Sequence, residues 1–314
     1  MESHGHKQPV ILVTGAYGLL GSRVVPCLAQ NIPDSEVIAA GRTPNQLQAK
    51  VANVTGIFGD LRAEAFWASL PETITHVVHL AAVIPWQPKD RYQASLVTDN
   101  LLPLAHLIEQ SQRWPNLQQI IYSSSVSVYA PTRQILTEES LKEPANLYGG
   151  SKLAGESLLH CPDARGILTT SLRFSSLYAH GQYEGTVLPI MVGRARQRQP
   201  LLIFGDGSRT QDFLHCEDAA HAILLSFQKQ AHGVYNVGTG IPVSMAELAQ
   251  TVSRVFAQGT AEIVVQPEKP DNDPGIKLDI SKARRELDYH PAIHLEAGLE
   301  DLKFKLDSNA TPVS

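Results

Sequence analysis

A short β-branched run, Val10–Val13, ends in Thr14-Gly15-Ala16-Tyr17-Gly18-Leu19-Leu20-Gly21, and no other stretch limits the possible fold as strongly. The glycines are spaced G-x-x-G-x-x-G between a strand and a helix. Gly15 permits a tight turn, Gly18 lets a charged ligand approach the backbone, and Gly21 lets the helix pack closely on the strand. The helix start then offers unpaired N–H groups and the positive end of its dipole to an anion. Strand, glycine turn and helix in this order are the place where a dinucleotide pyrophosphate binds at the head of a parallel sheet. Tyr17, Leu19 and Leu20 belong to the same loop and are expected to contact the same ligand.

The rest of the chain supports an α/β class, a doubly wound parallel sheet (Rossmann) with a smaller C-terminal substrate lobe. Strand patterns at Val37–Ala40, Gly56–Phe58, His76–Leu80, Ile120–Ser123 and Leu168–Phe174 alternate with helical ones. The helical stretches are Leu19–Gln30, Tyr92–Arg113 and Asn146–His160, the first two interrupted by Pro26 and Pro103. After Phe174, Leu177–Thr186 lacks periodicity and reads as loop. Helices follow at Val187–Gln199, Glu217–Lys229, Ser281–Leu287 and Leu295–Leu306, with strands at Leu201–Phe204, Gly233–Val237 and Glu262–Val265. Ser244 with Glu247 forms a capping-box pattern. These patterns divide the chain into a dinucleotide-binding domain over 1–173, with returning segments near 215–238, and a mainly substrate-binding lobe over 174–314.

The end of the second strand selects the dinucleotide. A carboxylate there would hydrogen-bond the adenosine ribose, whereas an arginine favours a 2′-phosphate. The sequence reads Ala39-Ala40-Gly41-Arg42, so no carboxylate repels a phosphate and a guanidinium is at hand to pair with it. NADP(H) is the preferred cofactor, with NAD(H) the alternative if Arg42 only stacks on adenine. Asp60 and Leu61, after the third strand, are placed to contact the adenine.

Tyr148-Gly149-Gly150-Ser151-Lys152 puts a phenol and an ammonium one helical turn apart, on one face. A free phenol has a pKa near 10, and a nearby ammonium favours the phenolate. The two glycines cost roughly 1 kcal/mol each relative to alanine, which implies a close approach to that face, such as a nicotinamide ribose or a substrate. Ser123-Ser124-Ser125 ends the fifth strand, where the ligand crevice of a doubly wound sheet lies. Ser125 is positioned to donate to a carbonyl oxygen that gains charge as a hydride arrives.

With TGAYGLLG at 14–21, HLAA at 79–82, SSSVSVY at 123–129, YGGSK at 148–152, LRFSSLY at 172–178, IFGDGSRTQDFLHCEDAA at 203–220, YNVGTG at 235–240 and DISKARRELDYHP at 279–291, the chain resembles the extended short-chain dehydrogenase/reductase family. That family groups nucleotide-sugar epimerases, dehydratases and reductases, and the resemblance runs from about Val10 to about Leu302. It implies that Ser125 polarises the substrate oxygen, that Tyr148 is the general acid/base, and that Lys152 lowers its pKa and holds the nicotinamide ribose. It also implies that Ala81, Ala82 and Ser123 line the cofactor channel, and it groups with them Asn100, which matches a largely structural asparagine beside the active site. A homodimer through paired helices follows from the same resemblance.

The substrate side departs from the nucleotide-sugar pattern. Ser176 stands where sugar-diphosphate binders in the family usually have asparagine, and Gln211 where they usually have arginine. Arg209 and Lys269 are the nearest substitutes, and neither aligns. Trp86 and Tyr178 are further candidates for the pocket wall. The resemblance implies a sugar nucleotide or sugar-like substrate, whereas these departures point away from a standard one, to a modified sugar or a smaller carbonyl compound with no diphosphate. Reduction of a keto group, epimerisation with a retained cofactor, and NADP(H) sensing without turnover are the functions these residues allow.

The net charge of −5 gives no reason to expect nucleic acid or an anionic membrane as partner. No run of about 18 apolar residues is present. His79 reads as a core histidine. His180, His215, His221 and His232 share no metal-ligand spacing, so no metal is expected. Three scattered cysteines suit reduced thiols, and Met1–Gln8 is polar without an apolar core. These features point to the cytoplasm.

Overall fold

The computed structural model describes residues 8–43, 52–85, 88–161, 165–182, 185–269 and 273–310. The first half of the chain runs β1 (Val10–Thr14), α1 (Gly21–Asn31), β2 (Glu36–Gly41), β3 (Val54–Phe58), α2 (Glu64–Ala68), β4 (His76–His79), α3 (Ser95–Ser111), β5 (Gln119–Ser125), α4 (Leu147–Leu159) and β6 (Leu168–Phe174). The second half adds β7 (Ser176–Tyr178), α5 (Val187–Arg196), β8 (Leu201–Phe204), β9 (Thr210–Gln211), β10 (Phe213–His215) and α6 (Cys216–Gln228). It ends with β11 (Gly233–Val237), β12 (Val243–Ser244), α7 (Met245–Ala257), β13 (Ile263–Gln266), α8 (Ser281–Leu287) and α9 (Leu295–Ala310).

Seven strands form one sheet in the order β11-β6-β5-β4-β1-β2-β3. Every neighbouring pair in it is parallel. The central strands are apolar and buried on both faces, as a sheet covered by helices requires: Ile11, Leu12, Val13, Val77 and Val78 are all fully buried. The chain leaves β1 toward β2 and β3, then returns to place β4 on the other side of β1. The carboxyl ends of β1 and β4 therefore flank the point where strand order reverses, which opens a crevice. One sheet face is covered by α1 and α6, the other by α3 with Trp67 and Trp114. A separate apolar cluster in the second half joins α5, α7 and α9.

The long helix expected over Tyr92–Arg113 starts later, after a 3₁₀ turn over Pro88–Tyr92. Part of the stretch expected as loop after Phe174 is strand instead: β7 pairs in parallel with β10. Three residues are too few to show an alternating pattern, so the ladder had no sequence signal. The same holds for β9 and β12, two residues each. The capping box at Ser244 and Glu247 forms, with Glu247 N–H donating to Ser244 Oγ at 3.1 Å. Among the described residues no helix is long and apolar enough to cross a membrane.

Candidate active site

A cleft of about 820 Å³ runs along the carboxyl ends of the strands, from the glycine turn to the second-half residues. At its closed end β1 turns at Gly15, whose φ is +67°. A Cβ there would fall 2.7 Å from the Ala81 amide nitrogen, so glycine is what lets the β1 and β4 loops meet. A Cβ on Gly21 would fall 2.2 Å from Gly15 O, which fixes the close seat of α1 on the turn. The head of α1 has no side-chain cap and no acidic residue in its first turn. Gly15, Tyr17, Gly18, Leu19, Leu20 and Gly21 all line the cleft. A bare helix start behind a glycine cradle is what a pyrophosphate needs, so the residues present fit a dinucleotide.

Beyond the turn, Arg42, Asp60 and Leu61 line the cleft, and so does Arg62, which sequence reasoning missed. Arg62 donates to Asp60 Oδ2 at 2.8 Å and to Asp99 Oδ1 at 3.1 Å. Hydrogen bonds from Arg62 hold the Asp60 carboxyl down to about 2, with Arg42 adding a smaller effect. Tyr17 packs against Phe58, ring centroids 5.3 Å apart.

Ala81, Ala82, Ser123, Ser125, Tyr148 and Lys152 line the middle of the cleft. Asn146 caps α4, accepting from the Gly149 N–H at 2.9 Å. The close approach expected at this helix is made at Gly149 by the protein itself. A Cβ on Gly149 would fall 2.1 Å from Ser127 O, whereas Gly150 has nothing within 4 Å. Ser125 Oγ donates to Ser127 Oγ at 3.1 Å and accepts from the Ser127 N–H at 3.1 Å. It is also a hydrogen-bond partner of the Tyr148 phenol. Lys152 is buried, and its Nζ donates to Ser123 O at 2.6 Å. That nitrogen lies 5.8 Å from the Tyr148 ring centroid and 4.8 Å from that of Tyr122.

Sequence reasoning expected Lys152 to draw the phenol's pKa down. Burial is instead the largest influence, pushing Tyr148 up to about 12, and the Ser125 hydrogen bond opposes it. Burial likewise pushes Lys152 down to about 7, against the pull of Glu156. His79 is buried as expected but only half satisfied. Its Nδ1 pairs with Thr14 Oγ1 at 2.9 Å, while its Nε2 has no partner among the described residues.

Below the cleft lies a buried ionic network that sequence reasoning did not find. Arg173 clasps Glu156 with two bonds, Nε to Oε1 at 2.8 Å and Nη2 to Oε2 at 2.6 Å. Ser124 donates to the same carboxylate at 2.5 Å, and Arg173 also reaches Tyr129 Oη at 2.8 Å. Tyr129 in turn donates to Asn236 on β11 at 2.6 Å. The available signal was the position of Glu156, one turn beyond Lys152 on the same face of α4.

The remaining expectations divide. Ser176 and Gln211 line the cleft and hydrogen-bond each other, Gln211 Nε2 donating to Ser176 Oγ. Arg209 does not line it: its guanidinium pairs with Asp273 at 3.6 Å and donates to Gln211 Oε1 at 3.4 Å. Lys269 lies over the Phe204 ring, 5.5 Å from its centroid. Tyr178 touches the cleft but belongs to the second-half core, 1% exposed and 5.2 Å from the His215 ring. Asn100 stands behind the wall: it accepts from the Val83 N–H at 2.7 Å and donates to Ser151 Oγ at 3.0 Å, which makes it a brace for the 81–85 loop rather than a cofactor contact. Trp86 lies outside the described residues.

A model of the NAD dependent epimerase/dehydratase family matches residues 11–238. The chain is 31% identical over 311 residues to a dTDP-4-dehydro-6-deoxy-D-allose reductase of Streptomyces bikiniensis, covering 93% of this chain and 94% of that protein. It is 25% identical over 316 residues to a trifunctional UDP-glucose 4,6-dehydratase/epimerase/reductase of Arabidopsis thaliana, where 96% of this chain spans only 47% of the larger enzyme. The crystal structure of a Thermotoga maritima UDP-glucose 4-epimerase with UDP-glucose superposes with a TM-score of 0.84 at 26% identity, covering 96% of this chain and 100% of that one.

Proposed function

The chain belongs to the NAD-dependent epimerase/dehydratase family, the extended short-chain dehydrogenases/reductases, and from that premise we propose that it is an NADP(H)-dependent reductase of a keto group on a sugar nucleotide or sugar-like substrate. The observation that carries this reading is the convergence of Ser125, Tyr148 and Lys152 on one cleft that also holds the glycine turn. The similarity to a 4-keto sugar reductase supports the direction of reaction.

Gly15, Gly18 and the head of α1 would hold the pyrophosphate, and Lys152 the nicotinamide ribose. Bound there, the dinucleotide supplies the hydride. Ser125 Oγ donates a hydrogen bond to the carbonyl oxygen and stabilises its developing charge. Tyr148, held protonated by burial, gives that oxygen its proton, so the ketone becomes a secondary alcohol. Arg42, exposed beside Gly41 with no acidic residue at the strand end, supports NADP(H) over NAD(H).

Epimerisation would use the same three side chains, and the likeness to a UDP-glucose 4-epimerase favours it as the second reading. Following NADPH absorbance with candidate ketones separates the two. Steady consumption supports the reductase. A cofactor retained through purification, with product isomerised and no net oxidation, would replace it with the epimerase.

With this reading we also propose a cytoplasmic homodimer. Its three cysteines are unpaired, which suits a reducing compartment. Leu102 on α3 and Leu158 on the adjoining α4 are 41% and 43% exposed, apolar surface that a dimer would cover.

A further inference from the structure

The substrate end of the cleft is poor in positive charge. Its walls are apolar, formed by Val83, Ile84, Leu177, Val187, Phe213 and Ile276. Beyond Ser125 and Tyr148, the basic side chains lining it come down, among the described residues, to Arg91 on the exposed 3₁₀ turn. Residues 86–87, 183–184 and 270–272, which fall outside the described ones, contain no lysine, arginine or histidine. Arg209, the nearest other cation in sequence, turns to Asp273 and Gln211.

Two amide side chains of this end are turned onto the protein. Gln211 Nε2 donates to Ser176 Oγ. Gln182 Nε2 donates to Leu177 O and to Thr186 Oγ1, both at 3.1 Å. Besides Arg91, the start of α5 is favourable to an anion, because Thr186 makes no side-chain cap there. Its third position is Pro189, which has no N–H, so one donor of that turn is missing. A helix start offsets about half a charge, whereas a diphosphate brings about two and requires cationic partners when removed from water.

Resting on the hydride-transfer reading above, we infer that this end of the site takes an uncharged carbonyl compound, seated by an apolar flank, and not one linked to a nucleoside diphosphate. The keto oxygen faces Ser125 and Tyr148, and the rest of the compound lies against the apolar walls. The product is the corresponding uncharged secondary alcohol.

Calorimetric titration of the NADP⁺-loaded enzyme with UDP and with dTDP tests this without requiring turnover. The wild-type protein is expected to show no saturable binding up to about 1 mM, and a Kd below about 0.1 mM for either would overturn the inference. Gln211→Arg puts a guanidinium into the same wall and is expected to raise UDP affinity at least about tenfold. No gain in a variant that still binds NADPH would overturn the charge argument. In turnover, uncharged cyclic and aryl ketones are expected to outpace UDP-linked keto sugars in NADPH consumption, and the reverse order would overturn it. Failure of the hydride-transfer reading itself would appear separately, as a Tyr148→Phe variant with full activity, and it leaves the UDP titration of the loaded enzyme intact.

Discussion

The ring of Tyr17 covers Gly41 so closely that a Cβ on residue 41 would fall 2.4 Å from Tyr17 Cδ2. A side chain at the end of β2 therefore requires the ring of Tyr17 to shift. Gly41→Asp alone is expected to weaken both NADPH and NADH, because the ring must move before an acidic side chain fits. Combined with Tyr17→Ser it is expected to raise the NADH:NADPH ratio of kcat/KM by at least about tenfold, one well-placed charged hydrogen bond. Steady-state kinetics with both cofactors check this, and a ratio shifted equally by Gly41→Asp alone would show that Tyr17 imposes no barrier.

Arg42 is the complementary test. Arg42→Ser is expected to weaken NADPH binding by about 10- to 100-fold, the loss of one charge-assisted hydrogen bond. NADH affinity should move by no more than about twofold, since NADH carries no 2′-phosphate. Fluorescence titration of the two reduced cofactors measures both, and equal losses would reduce Arg42 to a stacking residue.

Tyr148→Phe keeps the ring and removes the proton. Turnover is expected to fall by about 10²- to 10⁴-fold, the usual contribution of a positioned acid, with NADPH binding little changed. A variant that retained activity would remove Tyr148 from the chemistry.

The Glu156–Arg173 pair is 5% and 2% exposed at its side chains, so breaking it strands a charge. Glu156→Leu and Arg173→Met are each expected to cost about 3–5 kcal/mol in urea unfolding, while the two replacements together recover much of it. Additive losses in the double variant would mean that the two side chains act independently.

Acid sensitivity follows from His76 and His79. Burial pushes His76 from 6.5 down to about 4. Burial, with Lys152 adding to it, pushes His79 from 6.5 down to about 3. In this window the unfolded chain binds protons that the folded one refuses, so stability is fully present above pH 6.5 and falls as pH drops toward 3. His79→Gln is expected to flatten that slope by about one proton, measured as urea midpoints across the window. An unchanged slope would refute the buried neutral state of His79.

The parallel sheet and the glycine turn were legible because each rests on a local pattern: apolar runs for the strands and fixed glycine spacing for the turn. Ser125, Tyr148 and Lys152 were legible for the same reason, two of them lying one helical turn apart and the third at a strand end. What escaped notice depends on chain segments far apart in sequence. Arg62 meets Asp99, and Glu156 meets Arg173, only once β3, α3, α4 and β6 are in place. The use of Gly149 is of the same kind, since its neighbour is a carbonyl of residue 127 and no composition rule reveals it. Arg209 misled because a basic residue beside the cleft motif need not point into the cleft. A carboxylate from another loop, Asp273, takes it.

Among the described residues, the outermost strand of the main sheet, β11, comes from residues 233–237 and has β6 as its one neighbour in that sheet. A fragment ending at Phe174 would leave β6 with a bare hydrogen-bonding edge and strip Asn236 from the chain of contacts behind the lysine helix. The two halves are thus interlaced like clasped fingers and are not inheritable as separate modules. Any exchange of the C-terminal part between enzymes of this kind must carry residues 233–237 across with the recipient's sheet, or the recipient loses its border.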